Sequence, residues 1–157
     1  MPITNFEVEE QPVLSKPEDA PARTELDALQ KVMLIAHAAD SLRASDIVIL
    51  DLRGLTIIAD FFLICTGNSS IQIRAISDRI EERMHEAGYR KLRVEGYQEA
   101  TWILMDYSEV VVHVMAAEQR AFYNLEGFWA DAPRLEIDLT PEQGARPARA
   151  QFEPPEV

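Results

Sequence analysis

Apolar positions change their period several times between residues 25 and 134, and each change marks a predicted element. Across 25–43, Leu26, Leu29, Met33, Ala36 and Leu42 recur at helical spacing, with Val32 and Ile35 beside them and Thr24 placed as an N-cap. Residues 46–52 are instead near-continuously apolar and β-branched, the pattern of a strand covered on both faces. Arg53-Gly54 turns the chain, and 61–65 repeats the buried-strand pattern. The gap between these two strands is too short for a crossover helix, so they are expected to pair antiparallel. Thr66-Gly67-Asn68-Ser69-Ser70 then supplies a glycine for a turn and a serine to cap a helix whose buried stripe is Ile73, Ile76, Ile80, Met84 and Ala87, closed by Gly88. Three strands follow, at 92–95, 102–106 and 110–115, the last two joined across Tyr107-Ser108-Glu109. A final helix from about Glu118 places Phe122, Leu125, Phe128 and Trp129 near one side and stops before Pro133. This order predicts a single α/β (α+β) domain, a mixed five-stranded sheet flanked by helices.

The ends lack either period. Residues 1–23 and 135–157 each carry five acidic against two basic side chains and four prolines apiece, the composition of tails around a domain at 24–134. Much of the formal net charge of -12 therefore lies outside the domain, and its sign disfavours general nucleic-acid binding, which rewards Lys and Arg. A basic protein partner is easier to reconcile with it. No apolar run reaches the roughly 18 residues of a membrane span, and the N-terminus lacks a basic segment followed by an apolar one. The expectation is a protein that is neither membrane-bound nor exported. Cys65 is the single cysteine and lies in an apolar strand, which excludes an intrachain disulfide and fits a reducing cytoplasm.

Four separated motifs also carry a family resemblance: DLRGLTIIADFFLICTGNSS, the Trp-x3-Asp-Tyr segment at 102–107, the VVVH ending at His113, and FYNLEGFWADAP at 122–133. In that order they resemble the ribosomal silencing factor family, also called RsfS or Iojap, over roughly residues 25–134. The resemblance implies a nucleotidyltransferase-like fold without catalysis or cofactor. It further implies a cytoplasmic translation regulator that binds the large ribosomal subunit through ribosomal protein L-fourteen and blocks joining of the small subunit when nutrients are scarce. Relatives are often homodimers, and plant and mitochondrial ones serve ribosome biogenesis, so an assembly role is the alternative.

For such a binder the candidate contact residues are Trp102, Asp106, Tyr107, Gln72, Arg74 and Ser69. On residues alone Trp102 is equally a core tryptophan, and the resemblance moves it toward an interface. Tyr107, at a hairpin tip, is expected to be exposed. Asp106 either meets a basic partner group or satisfies the turn backbone. The Gly67–Ser70 turn is more simply a capped helix start than an anion site, since no phosphate-loop pattern accompanies it. Relatives usually carry a basic residue where this chain has Ile71 and Gly-Asp where it has Ser108-Glu109; Arg74 is placed to supply part of the missing charge. The rival class is an enzyme using Asp51, Asp60, Asp106 and His113. Against it, the strands contain no Asp-x-Asp pair, and His37, His85 and His113 lack ligand spacing. His113, in an apolar strand, reads as a hydrogen-bonded structural histidine, and Asp51 and Asp60 as turn closures.

Overall fold

The computed structural model describes residues 19–139, with side chains from Ala28 onward. Helix α1 (Asp19–Ser41) leads into β1 (Ser45–Asp51), β2 (Phe61–Gly67), α2 (Ser70–Glu86), β3 (Arg93–Glu95), β4 (Trp102–Asp106) and β5 (Val110–Ala116). Two short helices, α3 (Ala117–Tyr123) and α4 (Leu125–Phe128), and the two-residue strand β6 (Arg134–Leu135) complete it. The sheet order is β3-β4-β5-β2-β1-β6. β1 pairs with β2 antiparallel as expected, and only β2 and β5 run parallel, linked by the excursion through α2, β3 and β4.

The sheet has two unlike faces because side chains alternate across it. One face presents Ile49, Phe61, Leu63, Cys65, Ile103, Met105, Val112 and Val114, sealed beneath α1 (Val32, Ile35, Ala39) and α2 (Ile73, Ile76, Ile80, Met84). This is the main core. The opposite face presents Leu50, Phe62, Ile64, Val111 and Met115; among the described residues Leu52, Ala59, Leu125, Trp129 and Ala132, from flanking loops and the α4 region, pack with it. Six strands rather than five result from β6, which pairs with the outer edge of β1. Ile137 and Leu139 also pack on the core, so the folded body runs past the boundary expected at 134. The helix begins at Asp19, ahead of the Thr24 start, so Thr24 is inside it rather than capping it. The segments 1–18 and 140–157, which hold most of both expected tails, lie outside the described residues.

One expected helix is two. Asn124 adopts a left-handed conformation (φ 46°) that ends α3, and its side-chain oxygen accepts from the Gly127 N–H to start α4. Asparagine tolerates this conformation better than most residues, which is why the break falls there.

Candidate functional site

The thinly covered face carries the chemistry of interest. Trp102, Leu104 and Asp106 of β4 point to it, as do Val111, His113 and Met115 of β5. Over this floor runs a chain of seven rings. Phe122 meets Tyr123 at 4.9 Å between centroids, Tyr123 meets Trp102 at 4.8 Å, and Trp102 meets His113 at 5.9 Å. His113 meets Phe62 at 4.6 Å, Phe62 meets Trp129 at 6.1 Å, and Trp129 meets Phe128 at 5.2 Å. All six are edge or tilted contacts, and edge-on is a geometry aromatic rings favour. The middle of the chain is buried, but its ends are not: Phe122 and Phe128 are each 77% exposed and Tyr123 49%. Large rings left in water at both ends of a packed row form an exposed apolar patch, which makes this face the candidate docking surface.

Trp102 joins the exposed and buried parts. Its indole Nε1–H donates to His113 Nδ1 at 3.1 Å, and the ring stays partly exposed beside Tyr123. His113 is 3% exposed, and burial pushes its pKa down to about 4, so the ring is neutral at physiological pH and can accept that proton. The structural histidine expected from the sequence is thus present, paired with the candidate anchor. Because the unfolded chain takes up a proton near the ordinary pKa of 6.5 and the folded chain does not, stability is full above pH 6.5 and lost as pH falls toward about 4. The expected loss from this group is about 3 kcal/mol. Urea unfolding from pH 7 to 4 should show it, with a smaller slope in His113→Gln.

The loop entering β4 is clamped from the other side of the sheet. Arg74 on α2 donates to the Tyr97 and Gln98 carbonyl oxygens at 3.1 and 2.7 Å, and the Tyr97 hydroxyl donates to Asp78. Gly96 has φ +84°, and a Cβ there would lie 2.1 Å from the Trp102 carbonyl oxygen, so the backbone closes against Trp102 where no side chain fits.

These contacts revise several expectations. Arg74 holds a loop and is not a free cation replacing the charge missing at Ile71, which is itself exposed. Ser69 caps α2 by accepting from the Gln72 N–H. Gln72 is committed internally: its side chain accepts from Asn68 N–H and donates to the Leu42 and Arg43 carbonyls. Tyr107 is 1% exposed, not a surface residue at a hairpin tip. Its strand position alternates with Asp106, so its ring enters the core beneath the helices, where burial raises the pKa of its hydroxyl. Asp106 accepts from Ser108 N–H at 2.8 Å and lies 3.7 Å from Arg93, which favours its role in the turn. Trp102 alone of the six is part of the ring chain.

The sequence reading missed Phe122, Tyr123 and Phe128 as surface residues. Their segment is pinned by Arg120, which donates to both Glu126 carboxylate oxygens, to Thr66 Oγ1 and to the Asp46 carbonyl. That fork holds α3 and α4 together against β1 and β2, and the same guanidinium keeps the Glu126 carboxyl below its ordinary pKa. The usable signal was the density of large rings in one short segment, with Phe122, Tyr123 and Phe128 within seven residues of one another.

The four candidates for catalysis are engaged in separate contacts. Asp51 forms a two-bond pair with Arg53, which lowers its pKa, and Asp60 leads into β2 with its N–H on the Glu109 carbonyl. Asp106 closes the β4–β5 turn and His113 meets Trp102. Among the described residues no three His, Cys, Asp or Glu side chains gather as a metal site. Burial pushes the Cys65 thiol up to about 12, suppressing the nucleophilic thiolate.

A sequence model of the family described as "Ribosomal silencing factor during starvation" matches residues 25–156. The chain belongs to the ribosomal silencing factor family. It is 44% identical over 107 residues to the ribosomal silencing factor RsfS of Halalkalibacterium halodurans, covering 68% of this chain and 92% of that one. It is 36% identical to the chloroplastic Iojap protein of Zea mays, covering 74% of this chain and 50% of that longer one. A crystal structure from Bacillus halodurans superposes with a TM-score of 0.63 at 39% identity, covering 69% of this chain and 99% of that one. A Chromobacterium violaceum protein, CV0518, superposes at 0.64 with 26% identity, covering 74% and 96%. Within this ribosomal silencing factor chain, the Trp-x3-Asp-Tyr segment at 102–107 divides by strand parity. Its tryptophan and aspartate face the ring chain, and its tyrosine supports the core.

Proposed function

We propose that this chain represses translation by binding the large ribosomal subunit through the ring-lined face of its sheet and, by bulk, denying the small subunit its contact area. The contact is ribosomal protein L-fourteen, and the setting is a cell short of nutrients. The observation that carries the reading is the continuous row from Phe122 to Phe128 with partly exposed Trp102 inside it, on the face that α1 and α2 leave uncovered. A few such aromatics within a polar margin typically dominate the energy of an interface. Glu95 and Glu118 are exposed near that row, and the acidic chain suits a basic ribosomal neighbour. Occlusion needs affinity and volume but no bond making. The remaining proposed features are a cytoplasmic location, the absence of catalysis and cofactor, and a dimer when free.

Sedimentation tests this reading. The protein is expected to pellet with purified large subunits and to reduce the 70S-type particles formed when small subunits are added. Protein that stays in the supernatant contradicts it. Binding without loss of joining points instead to a role in large-subunit assembly.

A further inference from the structure

Trp102 differs from Phe122 and Phe128 in having its polar atom tied to the sheet floor. In the β4–β5 register Trp102 sits opposite Met115 and His113 opposite Leu104, so indole and imidazole are diagonal neighbours on one face. Diagonal pairs lie within reach of long aromatic side chains. Met115 and Leu104 offer no comparable acceptor, which leaves His113 Nδ1 to take the indole proton. The imidazole is itself held: Phe62 meets it edge-on at 4.6 Å, and it is buried in the centre of the sheet. Its other nitrogen, Nε2, is buried with no hydrogen-bond partner. The sheet therefore leaves a donor-accepting nitrogen under the indole and gives it one polar task.

We infer that His113 is a positioning residue for the docking face: its Nδ1 lone pair holds the Trp102 indole in one orientation against Tyr123, so the anchor is set before the partner arrives. The inference rests on the docking reading above and adds to it the device that orders the anchor. An indole free to turn about its two side-chain torsions must be immobilised on binding, whereas one already hydrogen-bonded has lost that freedom during folding. His113 touches no partner in this account and acts through Trp102.

The test uses the full chain labelled with nitrogen-15, in which Trp102 and Trp129 give two indole N–H signals. Trp102→Phe identifies the first, and Trp129 serves as the internal reference. His113→Phe keeps a ring but removes the acceptor. It is expected to shift and broaden the Trp102 indole signal, leave that of Trp129 in place, and weaken large-subunit binding about tenfold. His113→Gln, whose amide oxygen can accept, is expected to recover part of both, which guards against a variant that merely folds poorly. In a Trp102→Ala background, His113→Phe should cause no further loss of binding. An unchanged Trp102 signal, or full affinity in His113→Phe while Trp102→Ala binds weakly, overturns the positioning role alone. Full affinity in Trp102→Ala overturns the docking reading and this inference with it.

Discussion

Trp102→Ala is expected to weaken binding to the large subunit by at least about 2 kcal/mol, roughly a thirtyfold rise in Kd, while the domain still unfolds in one cooperative step. The effect is large because the substitution removes the ring that links exposed Tyr123 to buried His113, so the row of aromatics is cut at its middle. It also leaves the His113 Nδ1 acceptor without its donor, at a site with little access to water. The core beneath α1 and α2 is untouched, since Trp102 packs with the opposite cluster. Binding titrations on purified large subunits, paired with urea unfolding, separate the two quantities. A folded variant that binds as tightly as the parent removes Trp102 from the interface.

Ile76→Ala should behave in the reverse way. Ile76 is fully buried on α2 in the cluster with Ile35, Ile73 and Ile80, and no ring of the docking face belongs to that cluster. Truncating such a side chain costs its transfer free energy and leaves a cavity, together about 2–5 kcal/mol. For a domain of this size that corresponds to a fall in Tm on the order of 10 °C. Below that transition the folded fraction should bind large subunits with the parent's affinity. A marked loss of affinity in the folded state would mean that α2 reaches the interface, contrary to its placement behind the sheet.

The strands and the two long helices were legible because their cues are local. Residues 46–52 and 61–65 form apolar runs that only a two-sided core accommodates, and the stripe Ile73, Ile76, Ile80 and Met84 repeats at helical spacing. β6 was hidden because two residues carry no period, and only pairing with β1 makes them a strand. Tyr107 was misplaced for a different reason. Proximity to a turn predicts exposure, but strand parity decides which face a side chain takes, and parity sends Tyr107 into the core while Trp102 and Asp106 face out. Counting alternate positions forward from buried Ile103 and Met105 would have corrected it.

The site itself was only partly legible. Trp102 could be singled out, but its partners could not, because the contact with His113 depends on the β4–β5 register and that with Tyr123 on where α3 ends. Gln72, Arg74 and Ser69 have internal roles that the sequence did not disclose, because polar side chains near a helix start have backbone groups to satisfy first. The structure shows them doing so at Leu42, Tyr97 and the first turn of α2.

The exposed apolar loop between β1 and β2 provides the contrast for the decisive measurement. Ile57 and Ile58 are largely open to water, like Phe122 and Phe128, yet neither isoleucine belongs to the ring row. Hydroxyl-radical footprinting of the protein, free and bound to purified large subunits, reads both surfaces in one experiment. Protection of Trp102, Phe122 and Tyr123 with unchanged labelling at Ile57 and Ile58 is the predicted result. Protection confined to Ile57 and Ile58, with the three aromatics labelled as in the free protein, would contradict the proposed docking face.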